Sequence, residues 1–283
     1  MSTPVSTTPR PAPTAGGVVQ VATLAQPPKH PDHADSADHP RIIITIDGPA
    51  GTGKSSTSRA LAQHLGLDFL DTGAMYRAAA ALVLDAGIDP RDHHAVCELV
   101  ARADLQFDWT RDPPELHARV LNSGPDAAGA DQRQRFGSRL RAPDVTRLVS
   151  PLASIGELRR HMVRMQQAIG QQHSRLVTEG RDQGSIVFPD APVKFFLDAT
   201  PMVRAARRAD QIREAGGQAD ELELVKEISA RDASDSSRTD GPLVKPRDAI
   251  VVDTSALTFA QVVSTLETHV RRRLPNARFK ALA

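Results

Sequence analysis

Apolar positions along this chain follow two rhythms. Short runs of β-branched and large apolar residues recur at Ile42–Ile46, Leu67–Leu70 and Leu176–Thr178, and within VKFFLDAT (193–200) and AIVVDTS (249–255). Such runs are the composition of strands buried on both faces. Between them the spacing is three to four residues, as on one face of a helix. Leu61 and Leu65 mark one helix, and Met75–Ala86, ended by Gly87, marks another. Asp92–Ala103 and 221–231 are also helical, and 144–172 carries a stripe of Leu158, Met162, Met165 and Ile169 that reads as core packing. Val262, Val263, Leu266 and Val270 line the last helix. Thr200-Pro201 is an N-cap followed by a first-turn proline, and Thr258 with Gln261 forms a capping box. Asp71-Thr72-Gly73 reads as a turn, 104–122 as two short strands around Pro113-Pro114, 123–138 as a loop without pattern, and 232–249 as a polar, mobile stretch. Strands alternating with helices predict an α/β fold with a central parallel sheet flanked by helices on both faces.

The first strand runs into Gly48-Pro49-Ala50-Gly51-Thr52-Gly53-Lys54-Ser55-Ser56. This is the phosphate-binding P-loop pattern, with the strand before it and the helix after it both present. Glycines let successive backbone N–H groups turn inward to phosphate oxygens, and the helix N-terminus adds partial positive charge. Lys54 is a mobile cation for the β- and γ-phosphates, and an adjacent hydroxyl can ligate Mg²⁺. Ser55 and Ser56 both offer that hydroxyl, and the spacing favours Ser55. The fold expected is therefore that of a P-loop NTPase.

Composition narrows the partners. The 283 residues include 35 basic and 34 acidic side chains, so no overall field favours a nucleic-acid polymer or a membrane. Aromatics make up only 4% of the chain, too few for extended base-stacking platforms. No apolar run is long enough to span a bilayer. One cysteine, Cys97, excludes an internal disulfide and fits a reducing, cytoplasmic setting. Residues 1–40 are rich in Pro, Ser, Thr and Ala and read as a disordered tail without the features of a secretory signal. Its His30, Asp32, His33, Asp35, Asp38 and His39 are read as solvated side chains rather than metal ligands, since nothing nearby would preorganise them.

Three further blocks follow the P-loop in order: LDTGAMYR (70–77), EGRDQGSIVFPDAPVKFFLDA (179–199) and ARDASDSSRTDGPLVKPRDAIVVDTS (230–255). Together with the P-loop they resemble the bacterial-type cytidylate kinases, of the nucleoside monophosphate kinase group, over roughly residues 42–271. The resemblance implies a phosphotransferase that uses ATP and Mg²⁺ to convert CMP, and dCMP, to the diphosphate, feeding pyrimidine nucleotide metabolism. It implies an NMP-binding insert at 104–172, a mobile lid at 231–246 within a kinase domain spanning 41–273, and a C-terminal tail at 274–283. Gly48 to Ser56 would hold ATP. Arg77 and Arg181 would grip the CMP phosphate, with Thr72 also among the CMP-binding residues. Arg231 and Arg238 would sit on the lid, with Arg238 reaching both acceptor and transferring phosphates, and Lys54, Arg181, Arg231 and Arg238 would form the catalytic set. Asp235 would contact the ribose, and Asp182, Ser150 and Arg159 would read the cytosine ring. Nothing calls for a partner chain, which leaves a monomer as the expectation.

These assignments also make chemical sense. Transfer between two polyanions needs positive charge, alignment and exclusion of water. An ionised phosphate attacks without a general base. Forked guanidiniums suit phosphate oxygens. A carboxylate accepts from the cytosine amino group and would face a carbonyl in uracil. Arg77 and Arg181 follow strand ends, where ligands of parallel sheets bind. Taken singly, Arg159 and Arg204 read as solvated helix arginines, while Asp47, Asp71 and Glu179 stay open between water-organising and turn-capping roles. Four departures from the family pattern stand out: Thr72 for a serine, Glu179 for an aspartate, the longer polar stretch GPDAAGADQRQRFGSR (124–139), and Gln166-Gln167 for Gln-Arg. The alternatives are a kinase for another monophosphate such as UMP, or a nucleotide-binding regulator without turnover. A GTPase switch lacks its Asn-Lys-x-Asp motif here.

Overall fold

The computed structural model describes residues 41–120 and 133–280, apart from the side chains of 119, 120, 133 and 134. The tail 1–40, with its His and Asp residues, and 121–132 and 281–283 fall outside the described residues. Five strands form one parallel sheet in the order β2-β6-β1-β7-β8. They are β1 (Ile42–Asp47), β2 (Asp68–Asp71), β6 (Arg175–Gly180), β7 (Val193–Asp198) and β8 (Ile250–Asp253). β1 is central and buried at every residue, which is why its sequence shows no alternation.

Helices cover both faces. On one, α1 (Lys54–Leu65) and α8 (Phe259–Arg273) pack Leu61, Leu65, Val262 and Leu266 onto Ile44, Ile46 and Phe195. On the other, α2 (Thr72–Asp85) buries Ala78–Ala81 completely. That alanine run lets α4 (Pro143–Ala153) and α5 (Gly156–Gln172) approach closely through Leu152, Leu158 and Met162. The stripe on α5 is core, as its spacing indicated. α3 (His93–Arg102) leads into a second, antiparallel sheet, β3 (Ala103–Asp108), β4 (Glu115–Val120) and β5 (Arg133–Arg135), beside the first. α6 (Pro201–Glu214) and α7 (Glu221–Ser236) pack on each other, and Arg207 of α6 donates to Thr254 O, just after β8, at 2.6 Å.

The structure departs from the sequence reading in four places. Asp71-Thr72-Gly73 is not a turn: β2 passes straight into α2, with the Asp71 carboxylate capping the helix by accepting from the Ala74 N–H at 2.8 Å. The stretch 123–138 is not all loop, since Arg133–Arg135 pairs with β4 although it has no β-branched residue. The helical run 144–172 is two helices, broken at Ser154-Ile155, just after Pro151. The polar stretch 232–249 begins as five further residues of α7, and only 237–249 lacks regular structure. At the other end, residues 274–280 lie against the body, Lys280 N–H donating to Leu65 O at 3.2 Å.

Candidate active site

All five strands of the parallel sheet point their C-terminal ends at one cleft of about 720 Å³. The P-loop forms its floor. Gly48 has φ +145°, and a Cβ there would lie 2.1 Å from Leu197 O, so only glycine lets the loop leave β1 against β7. Gly48 and Pro49 lie beneath the loop, while Ala50 to Ser56 line the cleft. Lys54 is buried, and its Nζ donates to Pro49 O at 2.7 Å. Burial, reinforced by the Arg181 and Arg231 guanidiniums, pushes its pKa down to about 7, against the pull of Glu179 and Asp47. An ammonium this short of counter-charge is one that bound phosphate would recharge.

The two serines behave differently. Ser56 Oγ turns back to Gly53 O at 3.0 Å, whereas Ser55 Oγ donates to Glu179 Oε1 at 2.6 Å. Burial, and then the neighbouring Asp71, raise the Glu179 carboxyl. Beside Lys54 stand the Ser55 hydroxyl and the Glu179 carboxylate, both oxygen donors of the kind that suits Mg²⁺. Asp47, left open by sequence, accepts from the N–H groups of Gln183 and Gly184, each at 2.8 Å. It ties the loop after β6, which carries Arg181 and Asp182, to the strand that launches the P-loop. Burial raises it to about 7 against those two bonds.

Facing the P-loop is a ring of arginines. Arg77, on the second turn of α2, pairs with Asp71 at 2.7 Å. Thr72 Oγ1 donates to Glu179 O at 2.7 Å, closing the start of α2 onto β6. Arg181 Nε meets Asp235 Oδ2 at 2.9 Å. Arg238 pairs with the same carboxylate and donates to Ser150 Oγ on α4 at 3.1 Å. Ser150 itself does not line the cleft and joins the site through this bond. Burial alone would raise Asp235, yet Arg181 and Arg238 together hold it below the usual range. Arg231 lines the cleft, with its pKa lowered by burial and by Arg181. The Nε–H groups of Arg77, Arg159, Arg231 and Arg238 are all buried without an acceptor among the described residues. Buried donors left open in this way are costly unless a ligand fills them.

Deeper in, Arg159 on α5 and Asp182 form a buried ion pair. Burial raises the Asp182 carboxyl and Arg159 opposes it. Tyr76 lines the cleft beside them, its hydroxyl pushed up to about 12, chiefly by burial. Above this pair the 237–249 segment meets α5. A Cβ on Gly241 (φ +61°) would sit 2.0 Å from the Arg159 guanidinium, and one on Gly156 would sit 2.2 Å from the Asp240 carboxylate.

The protein-family model described as "Cytidylate kinase" matches residues 44–272, which take in every site residue above. The chain belongs to the cytidylate kinase family. It is 45% identical over 225 residues to a cytidylate kinase of Corynebacterium efficiens, covering 80% of this chain and 92% of that one. It is 42% identical over 233 residues to one from Mycobacterium leprae, covering 82% and 96%. A bifunctional pantoate ligase/cytidylate kinase of Synechocystis is 44% identical over 81% of this chain, which spans 42% of that longer protein.

Two arginines that read as solvated when taken singly are not, although the family resemblance had already placed Arg159 in the site. Arg159 and Arg204 are only 4% and 3% exposed, each paired with an aspartate. Arg204 was legible in principle, because the Thr200 cap places it in the first turn after a sheet strand, at the same edge as Arg181. Tyr76 and Asp47 had no distinguishing spacing. Among the described residues no helix is long and apolar enough to cross a membrane.

Proposed function

We propose that the chain phosphorylates CMP to CDP with ATP, by direct in-line transfer, and accepts dCMP as well. The observation that carries this reading is the set of buried guanidinium donors without acceptors facing a P-loop lysine across one cleft. The P-loop backbone and Lys54 bind the donor phosphates. Arg77, Arg181, Arg231 and Arg238 receive the acceptor phosphate and the charge that spreads over the transferring group. Mg²⁺ would be held by Ser55 with the donor phosphates, Glu179 beside it, and would supply charge neutralisation between them.

Arg159 and Asp182 recognise the base. The carboxylate accepts from the cytosine amino group and the guanidinium donates to the ring, leaving uracil with a carboxylate against its carbonyl. Asp235 supports the ribose and, before substrate arrives, neutralises Arg181 and Arg238. Segment 237–249 acts as the lid over this pocket and excludes water. The same reading takes the protein to act as a monomer in the cytoplasm.

The test is ADP release with ATP and Mg²⁺ against CMP, dCMP, UMP, AMP, GMP and dTMP, for the wild type and Asp182→Ala. Turnover on CMP and dCMP, with discrimination against UMP weakened by the substitution on the order of tenfold to a hundredfold, supports the reading. Preference for another monophosphate overturns the acceptor assignment.

A further inference from the structure

Helix α7 carries Arg231 and Asp235 and leads directly into Arg238, yet only one of its residues, Asp235, is fully buried. Leu222 on the same helix is 66% exposed. Its apolar stripe, Leu224, Val225 and Ile228, is only half-buried, so polar contacts share in holding this sixteen-residue helix in place. Arg204 on α6 supplies the most enclosed of them. Its side chain is 4% exposed and its guanidinium reaches three separate elements. Nε donates to Ala199 O at 2.9 Å, Nη1 donates to Ala50 O of the P-loop at 3.2 Å, and Nη2 meets Asp232 Oδ2 of α7 at 2.6 Å. Asp232 directly follows Arg231 and lies one turn before Asp235. The other Asp232 oxygen, Oδ1, is buried without a donor among the described residues, so Arg204 is the cation that compensates this carboxylate.

We propose that Arg204 and Asp232 are positioning residues that lock the arginine-bearing helix α7 to the P-loop. Through this bridge the loop that binds the donor and the helix that meets the acceptor share one rigid guanidinium. Planar, with its donors in a fixed fork, arginine can set both the height and the rotation of α7 against Ala50 at once. Gly51 makes room for it: a Cβ there, at φ +82°, would lie 3.2 Å from Arg204 Cβ and press on it. Neither residue touches substrate. Their effect is transmitted through the placement of Arg231 and Arg238, where displacement of charge by a fraction of an ångström is felt in the rate. The inference rests on the kinase reading above.

The experiment compares wild type, Arg204→Met, Asp232→Ala, Asp232→Asn and the Arg204→Met/Asp232→Ala double variant in the CMP assay, with Tm and the KM for ATP measured on each. Asp232→Ala and Arg204→Met each lower kcat on the order of tenfold, while the KM for ATP stays within about twofold. Asp232→Asn, which keeps an acceptor of the same shape, stays within about threefold of wild type. The double variant loses no more than the worse single one, since neither charge is then left uncompensated. Should kcat be unchanged in Asp232→Ala, or lowered in the double variant by the product of the single losses, the proposal is overturned. A fall in Tm with kcat intact well below the melting temperature makes the pair a structural fastener only and overturns it equally. If the wild type turns over no acceptor, the kinase reading and this inference fall together; turnover by the wild type and by all variants alike removes this inference alone.

Discussion

The two walls of the cleft are built differently. The P-loop wall stands on apolar packing: α1 buries half of its twelve residues, and β1 beneath it is closed on all sides. The opposite wall, α7 with segment 237–249, buries a single aspartate along the helix and is fastened by Arg181, Arg204 and Arg238. Apolar burial is indifferent to small changes in charge, whereas ion pairs exchange partners when a new anion arrives. The first wall is thus suited to hold a phosphate chain in a fixed place. On the second, Arg204 holds the helix while Arg181 and Arg238 share Asp235, a partner that substrate phosphate would replace on the function proposed above.

The largest effect should come from the fixed wall. Lys54→Met should lower kcat by about a thousandfold or more, because no other cation rises from the loop. Its Tm should be unchanged or higher, since the substitution removes a buried ammonium held against strong desolvation. A large fall in Tm would show that the wall depends on charge after all. On the opposite wall, Arg238→Gln should reduce kcat by about a hundredfold and raise the KM for CMP, leaving ATP affinity nearly untouched. Equal damage to ATP affinity would erase the distinction between the walls.

Smaller effects sharpen the contrast. Gly241→Ala adds a Cβ against Arg159 at a backbone angle that disfavours side chains. The KM for CMP should rise several-fold with ATP affinity unaffected, as read by titration of each nucleotide. The smallest signal is in pH. The folded pKa of Lys54 is depressed from 10.5 to about 7, so across that window the unfolded chain binds more protons than the folded one. Stability of the ligand-free protein should therefore rise with pH above about 7, by a few degrees in Tm, and Lys54→Met should lack that part of the rise.

Much of the fixed wall was readable before any coordinates. Its strands are continuous apolar runs and its loop has a spacing that few other chemistries need. Arg77, Arg181 and Asp182 follow from position at strand ends together with the family resemblance. What escaped the sequence belongs to the polar wall. Arg204 lies on a helix whose other residues are mostly polar, and nothing in helical spacing tells a solvated arginine from one sealed against an aspartate of a distant element. The extension of α7 through Asp232 and Asp235 was missed for the same reason: ARDASDSS has the composition of a loop, and tertiary ion pairs rather than propensity make it helical. β5 was missed because Arg133–Arg135 gains its strand conformation wholly from pairing with β4.

The contact between segment 237–249 and α5 sets each of two glycines against a charged side chain, Gly241 against Arg159 and Gly156 against Asp240, with Arg160 reaching the same aspartate. Each glycine contact orders one side chain rather than two, which keeps the entropy cost of bringing the segment onto α5 low. These contacts are charged, so they add little apolar area to hold the segment there. Cover that costs little to form and gains little from staying formed is released as readily as it is applied, and turnover in a phosphotransferase depends on both halves of that cycle.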